Sequence, residues 1–146
     1  MDTADIRFNI TSGPGTGQTI NEYDKTVQFY NPYELNRVNP ARVLIGTTYI
    51  YESKNMGDSI ADLVNTESNV GDGESSNPVF YGGLNANGSS NPGSFYVGSG
   101  NAIYHRSADG SPIVTLGAYP GVTVSAPVSD PKNVAHIFVA DTSGSV

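Results

Sequence analysis

The sequence predicts an all-β chain built from a repeated antiparallel sheet unit, on three observations. Its 146 residues include 17 Gly, 9 Pro and 9 Tyr, with only 14 per cent charged side chains. That is the composition of many short strands joined by tight turns. Apolar and β-branched residues alternate over short stretches, as at Val43, Ile45 and Ile50, which favours strand over helix. These stretches also recur: the second strands of successive units, centred on Ile45, Val97 and Val139, lie 52 and then 42 residues apart. Units of four strands repeat at about 40 to 50 residues.

In chain order, residues 1–26 hold an alternating strand candidate over 6–10 and a Gly-rich loop from Ser12 to Gly17. No Lys-Ser/Thr pair follows that loop and no helix opens after it, so it is a connection and not a phosphate cradle. Thr19 to Tyr23 is expected to add a short strand, and no amphipathic helix is expected anywhere. The first unit spans residues 27–77, with strands expected over 27–35, 42–47 and 49–53, a tight turn over 53–58, and a further strand from Ser59. A Ser/Asn/Gly-rich loop over 65–77 closes it. The second unit, 78–118, repeats the order with strands over 78–84, 94–99 and 102–107 and a turn at Asn91-Pro92. The third, 119–146, begins at Tyr119-Pro120-Gly121, with strands over 122–127 and 135–141 around a turn at Asp130-Pro131. It breaks off where its third strand is expected to begin.

The turn in the first unit is the most informative stretch. Asn55 can accept hydrogen bonds from turn amides, Gly57 can take a positive φ, and the hydroxyls of Ser53 and Ser59 can tie the two strand ends together. Ile60 then folds back as an apolar plug. This spacing resembles the Asp-box, Ser/Thr-x-Asp-x-Gly-x-Thr/Ser-aromatic, of β-propellers of the sialidase, xyloglucanase and sortilin kinds. Asn55 stands in the place of the Asp and Ile60 in that of the aromatic residue. The surrounding order, Asn39-Pro40, a strand ending in Gly46-Thr47, a second strand and the box, is also that family's. A degenerate second box keeps Asp109 and Gly110, with Ser111-Pro112 where the box glycine and its neighbour belong.

The resemblance covers residues 27–146 and implies a β-propeller segment of four-stranded antiparallel blades, two full and part of a third. It also implies that the box side chains bind their own turns on the outer rim, away from the channel where ligands sit. Closed propellers have about four to eight blades. The remaining blades are therefore expected from a longer chain or from a homo-oligomer, the latter with the strand over 6–10 completing the third blade of its own or a neighbouring chain.

Fourteen acidic residues against seven Lys and Arg give a net charge of −7, and the four Arg (Arg7, Arg37, Arg42, Arg106) are scattered along the chain. Both facts oppose nucleic-acid binding. The absence of Cys removes disulfides and thiolate metal sites together. No apolar run reaches the about 20 residues of a membrane span, and the acidic, polar start is not a signal peptide. The resemblance nevertheless implies a secreted or cell-surface protein. No cofactor or metal is expected: His105 and His136 lack ligand-spaced partners, and Asp72-Gly73-Glu74 lacks a full oxygen set for calcium.

A sialidase needs three converging Arg and a Tyr-Glu nucleophile pair, which these residues do not offer. Glycoside hydrolysis needs two carboxylates about 5 to 10 Å apart, for which Glu34 and Asp130 are the candidates. The aromatic residues near first strands, Phe29, Tyr30, Tyr33, Phe80, Tyr81 and Tyr119, present rings that pack in a core or stack on a ligand. Of these, Tyr30, Tyr33, Tyr81 and Tyr119, with Glu34, are the expected binding residues. The expected function is a non-catalytic extracellular or surface module that binds glycan or protein, or builds a larger assembly. The alternative is part of a secreted glycoside hydrolase acting on polysaccharide.

Overall fold

The computed structural model describes residues 9–26, 30–71, 76–117 and 119–146, and the chain is all-β, 49 per cent strand and 3 per cent helix. A short strand β1 (Ile10–Ser12) and a single helical turn α1 (Ile20–Tyr23) come first. An antiparallel meander follows: β2 (Tyr33–Leu35), β3 (Val43–Gly46), β4 (Tyr49–Ser53) and β5 (Ile60–Asn65). A second meander is formed by β6 (Val79–Leu84), β7 (Ser90–Ser99), β8 (Ala102–Arg106) and β9 (Val114–Leu116). Last comes a two-stranded ribbon of β10 (Val124–Asp130) and β11 (Asn133–Asp141). Among the described residues none of the sheets closes on itself.

The period of two in the strands decides the layering. Leu44 and Ile50 on one face of the first sheet pack against Val79, Tyr81, Phe95 and Val97 of the second. The alternate residues of the second sheet, Phe80, Tyr96 and Ile103, pack against Val124 and Val134 of the ribbon. On the far face of the first sheet, Ile45, Tyr49 and Tyr51 meet Ile10, Ile20 and Tyr23 of the N-terminal segment. The order through the molecule is thus N-terminal segment, first sheet, second sheet, ribbon.

The sequence repeat is also a repeat of contacts. The amide of Gly46, at the end of β3, donates to the carbonyl of Pro32 at 2.8 Å, and that of Gly98, in the corresponding part of β7, donates to the carbonyl of Pro78 at 2.8 Å. A Cβ on Gly46 would stand 2.4 Å from Val70, and one on Gly98 2.4 Å from Val124. Both second strands need glycine there because the chain leading onward crosses directly over them.

Four expectations are corrected. Thr19 to Tyr23 is not a strand: Thr19 caps α1 by accepting from the Glu22 amide while Glu22 Oε2 accepts from the Thr19 amide, a reciprocal capping box. Within its own chain, the described end of the strand expected over 6–10 is not on the ribbon: Ile10–Ser12 lies parallel on β5, with residues 6–8 outside the described residues. Among the described residues the first strand of the first unit covers only Tyr33–Leu35, after Pro32, and 27–29 lie outside the described residues. Asn91-Pro92 is not a turn but lies inside the ten-residue β7. The turn is at Asn85 to Ser89, and β7 bulges where Tyr81 faces Phe95 but Gly83 faces Asn91.

Candidate functional site

β2 is an edge strand of the first sheet. The amide of Gly46 bonds Pro32 and the amide of Asn36 bonds Arg42, which makes Glu34 the bonded partner of Leu44 in an alternating ladder. Tyr33 and Leu35 then direct their main-chain groups away from β3. The Tyr33 carbonyl accepts from Asn77 Nδ2 at 3.2 Å, and Asn77 Oδ1 has no hydrogen-bond partner among the described residues. Around these groups lies a recess of about 340 Å³ lined by Tyr30, Tyr33, Glu34, Leu35 and Asn77. Tyr33 is 61 per cent exposed, Leu35 59 per cent and Tyr30 40 per cent. Glu34 accepts from Arg37 Nε at 3.1 Å in a partly exposed pair, which adds little stability.

The structure therefore brings together three of the five expected binding residues, Tyr30, Tyr33 and Glu34, and adds Leu35 and Asn77. Two rings, an apolar side chain and outward main-chain groups suit stacking and hydrogen bonding. Glu34 is the one carboxylate among the lining residues, whereas hydrolysis needs a pair. Asp130, the other candidate acid, accepts from the amide of Lys132 in its own turn at 2.8 Å.

The other two expected binding residues lie away from the recess. Tyr81 is buried in the core, and its hydroxyl donates to Glu52 Oε1 and accepts from Arg42 Nε at 2.7 Å. Tyr119 packs beside the second core cluster, its hydroxyl 3.4 Å from the Val139 carbonyl, and does not line the recess. Tyr33 on the edge strand β2 reaches the recess, whereas Phe80 and Tyr81 on the sandwiched β6 lie in the core. The calcium reading of Asp72 and Glu74 falls outside the described residues.

The turn after β4 holds itself. Asn55 Oδ1 accepts from the amide and the hydroxyl of Ser59, both at 3.0 Å, and Ser53 Oγ accepts from the Gly57 amide at 2.8 Å. Gly57 has φ +95°, and Ile60 is fully buried against Ile10 and Tyr51. In the turn after β8 Gly110 has φ +79°, but Asp109 does not serve its own turn. Its carboxylate accepts from Arg42 Nη1 and Nη2, both at 2.7 Å, and from Lys54 Nζ at 2.8 Å, joining the second sheet to the first.

Asp109 belongs to a charged network that sequence reasoning missed, since Arg42 and Arg106 were read as scattered. Glu52 lies on the face of β4 that it shares with Ile50, and accepts from Arg42 Nη2 at 2.7 Å and from Arg106 Nη2 at 2.6 Å and Nη1 at 3.1 Å. Arg106 Nε donates to the Gly93 carbonyl at 2.7 Å. Burial works to raise the Glu52 carboxyl, but hydrogen bonds from Arg106, Tyr81 and Arg42 outweigh it and hold the carboxyl below its ordinary range. The hydrogen bond from Arg42 likewise holds Asp109 low, and burial beside Glu52 pushes the Tyr81 phenol up. The signal available in the sequence was the inward phase of Glu52, two residues after Ile50, which demands a buried counter-charge. Because each guanidinium faces a carboxylate of the same network, its role is to fasten one sheet to the next. Comparison of the chain with family models, with curated proteins and with solved structures found no match.

Proposed function

We propose that the chain is a non-catalytic β-propeller segment, of two four-stranded blades and part of a third, that binds a glycan or protein ligand through the recess beside β2 on a secreted or surface protein. The observation that carries the binding reading is the gathering of exposed Tyr30, Tyr33 and Leu35 along the open edge of β2. Flat rings with polar tips bind sugar faces and peptide side chains alike, at a low entropic cost. The blade reading is supported by the two meanders of the same strand order, by the recurrent glycine crossings, and by contacts that run from β2 to β6 and from β6 to β10. The self-bonded turn at Ser53, Asn55, Gly57 and Ser59 agrees with the structural part an Asp-box plays.

The test is calorimetric titration with cello-, xylo- and xyloglucan oligosaccharides and, in parallel, with extended peptides. One class is expected to bind, and Tyr33→Ala is expected to weaken it at least about tenfold, or about 1.4 kcal/mol, with an unchanged unfolding midpoint. Binding indifferent to Tyr33 sinks the recess, and polysaccharide cleavage abolished by Glu34→Gln sinks the non-catalytic reading.

A further inference from the structure

The ribbon leaves one side of the molecule uncovered among the described residues. In β10 and β11, Ile137 and Val139 turn toward the core cluster of Phe80 and Tyr96, with Pro127 and Ser129 opposite them. The alternate residues, Ala126, Val128, Phe138 and Ala140, therefore share the outer face. Val128 and Phe138 stand directly opposite each other and are 48 and 63 per cent exposed.

This face is also electrically distinctive. Residues 124–129 and 133–140 contain no Asp, Glu, Lys or Arg, in a chain whose net charge is −7. Two copies of an acidic chain repel each other over most orientations, and least where an uncharged face meets its like.

We propose that the outer face of β10 and β11 is a self-association surface, occupied by the same face of a second copy across a two-fold axis. The opposite end of the molecule indicates why association stops at two. There Ile10, Ile20 and Tyr23 already cover Ile45, Tyr49 and Tyr51, so among the described residues that end of the layers offers no bare sheet face for head-to-tail stacking. A self-complementary patch with the far end capped closes as a dimer and not as a fibre. A ribbon about 30 Å long and about 10 Å wide covers about 300 Å² per copy, well below the about 800 Å² per partner of a standard interface, so the association is weak. The dimer is accordingly concentration-dependent.

Sedimentation equilibrium and multi-angle light scattering up to about 500 μM decide the matter. The expected result is a reversible rise from the 15.3 kDa monomer to a plateau at twice that mass. Phe138→Lys is expected to weaken association at least about tenfold while leaving the circular dichroism spectrum intact. Met56→Lys, at an exposed position in the box turn away from the ribbon, is expected to leave association unchanged. Should Phe138→Lys fail to fold, Val128→Lys carries the same expectation. A monomer throughout the range overturns the proposal, as do growth past the dimer and a dimer indifferent to both ribbon substitutions.

Discussion

Glu52 holds one carboxylate against two guanidinium groups and a phenol, at the place where the first two sheets are pressed together. Because its carboxyl is lower in the folded chain than in the unfolded one, it contributes stability that is fully present above the unfolded value of about 4. That contribution is lost as pH falls through the folded value. Asp109 acts with the same sign through Arg42. Urea unfolding is therefore expected to show stability falling below about pH 4, and Glu52→Gln to flatten part of that slope. At pH 7 the same substitution leaves buried Arg42 and Arg106 short of counter-charge, with an expected loss of about 3 kcal/mol; a loss below about 1 kcal/mol contradicts the network's role. The inward phase of Glu52 was legible beside Ile50. Its partners, ten and 54 residues away along the chain, were not, because alternation says which face a residue occupies and not which residues of another sheet meet it.

At the scale of the element, the turn after β4 was readable because its bonds are local. Ser53, Asn55, Gly57 and Ser59 satisfy one another within four residues. Asn55→Ala removes the acceptor of two of these bonds and is expected to cost about 1 kcal/mol, with faster amide hydrogen exchange at Ser59. Asn55→Asp keeps the acceptor and is expected to restore protection; equal exchange in both variants contradicts the assignment. The counterpart at Asp109 had the same local spelling and a different use, since Arg42 and Lys54 come within 2.8 Å of it. Thr19 to Tyr23 turns into α1 and not a strand because the Thr19–Glu22 capping box is local and outweighs the β-branched Thr19 and Ile20. The start of β7 was misread because Pro92 signals a turn, whereas a bulge places it inside the strand. Gly82, at φ +73°, lies in that bulge with no room for a Cβ, which would stand 2.3 Å from Asn36 Oδ1.

At the scale of the whole molecule, the layers differ in what covers them. The first sheet is sealed by Ile10 and its neighbours, and the ribbon is bare on its outer side. Ile10→Asp is expected to undock β1 and uncover Tyr49 and Tyr51. It should raise binding of a hydrophobic dye and, through a second open face, carry association past two copies; a variant that stays dimeric and binds no dye contradicts the capping role of the N-terminal segment. The sequence by itself determined the all-β class, the repeat, the strand phases and the self-bonded turn, because each depends on residues close together along the chain or on a period of two. Only the tertiary structure decided that β1 joins the first sheet, that Tyr81 is core while Tyr33 is surface, and that Arg42 and Arg106 meet on Glu52. Those outcomes depend on which sheet faces are pressed together, and apolar faces of equal period do not name their partners.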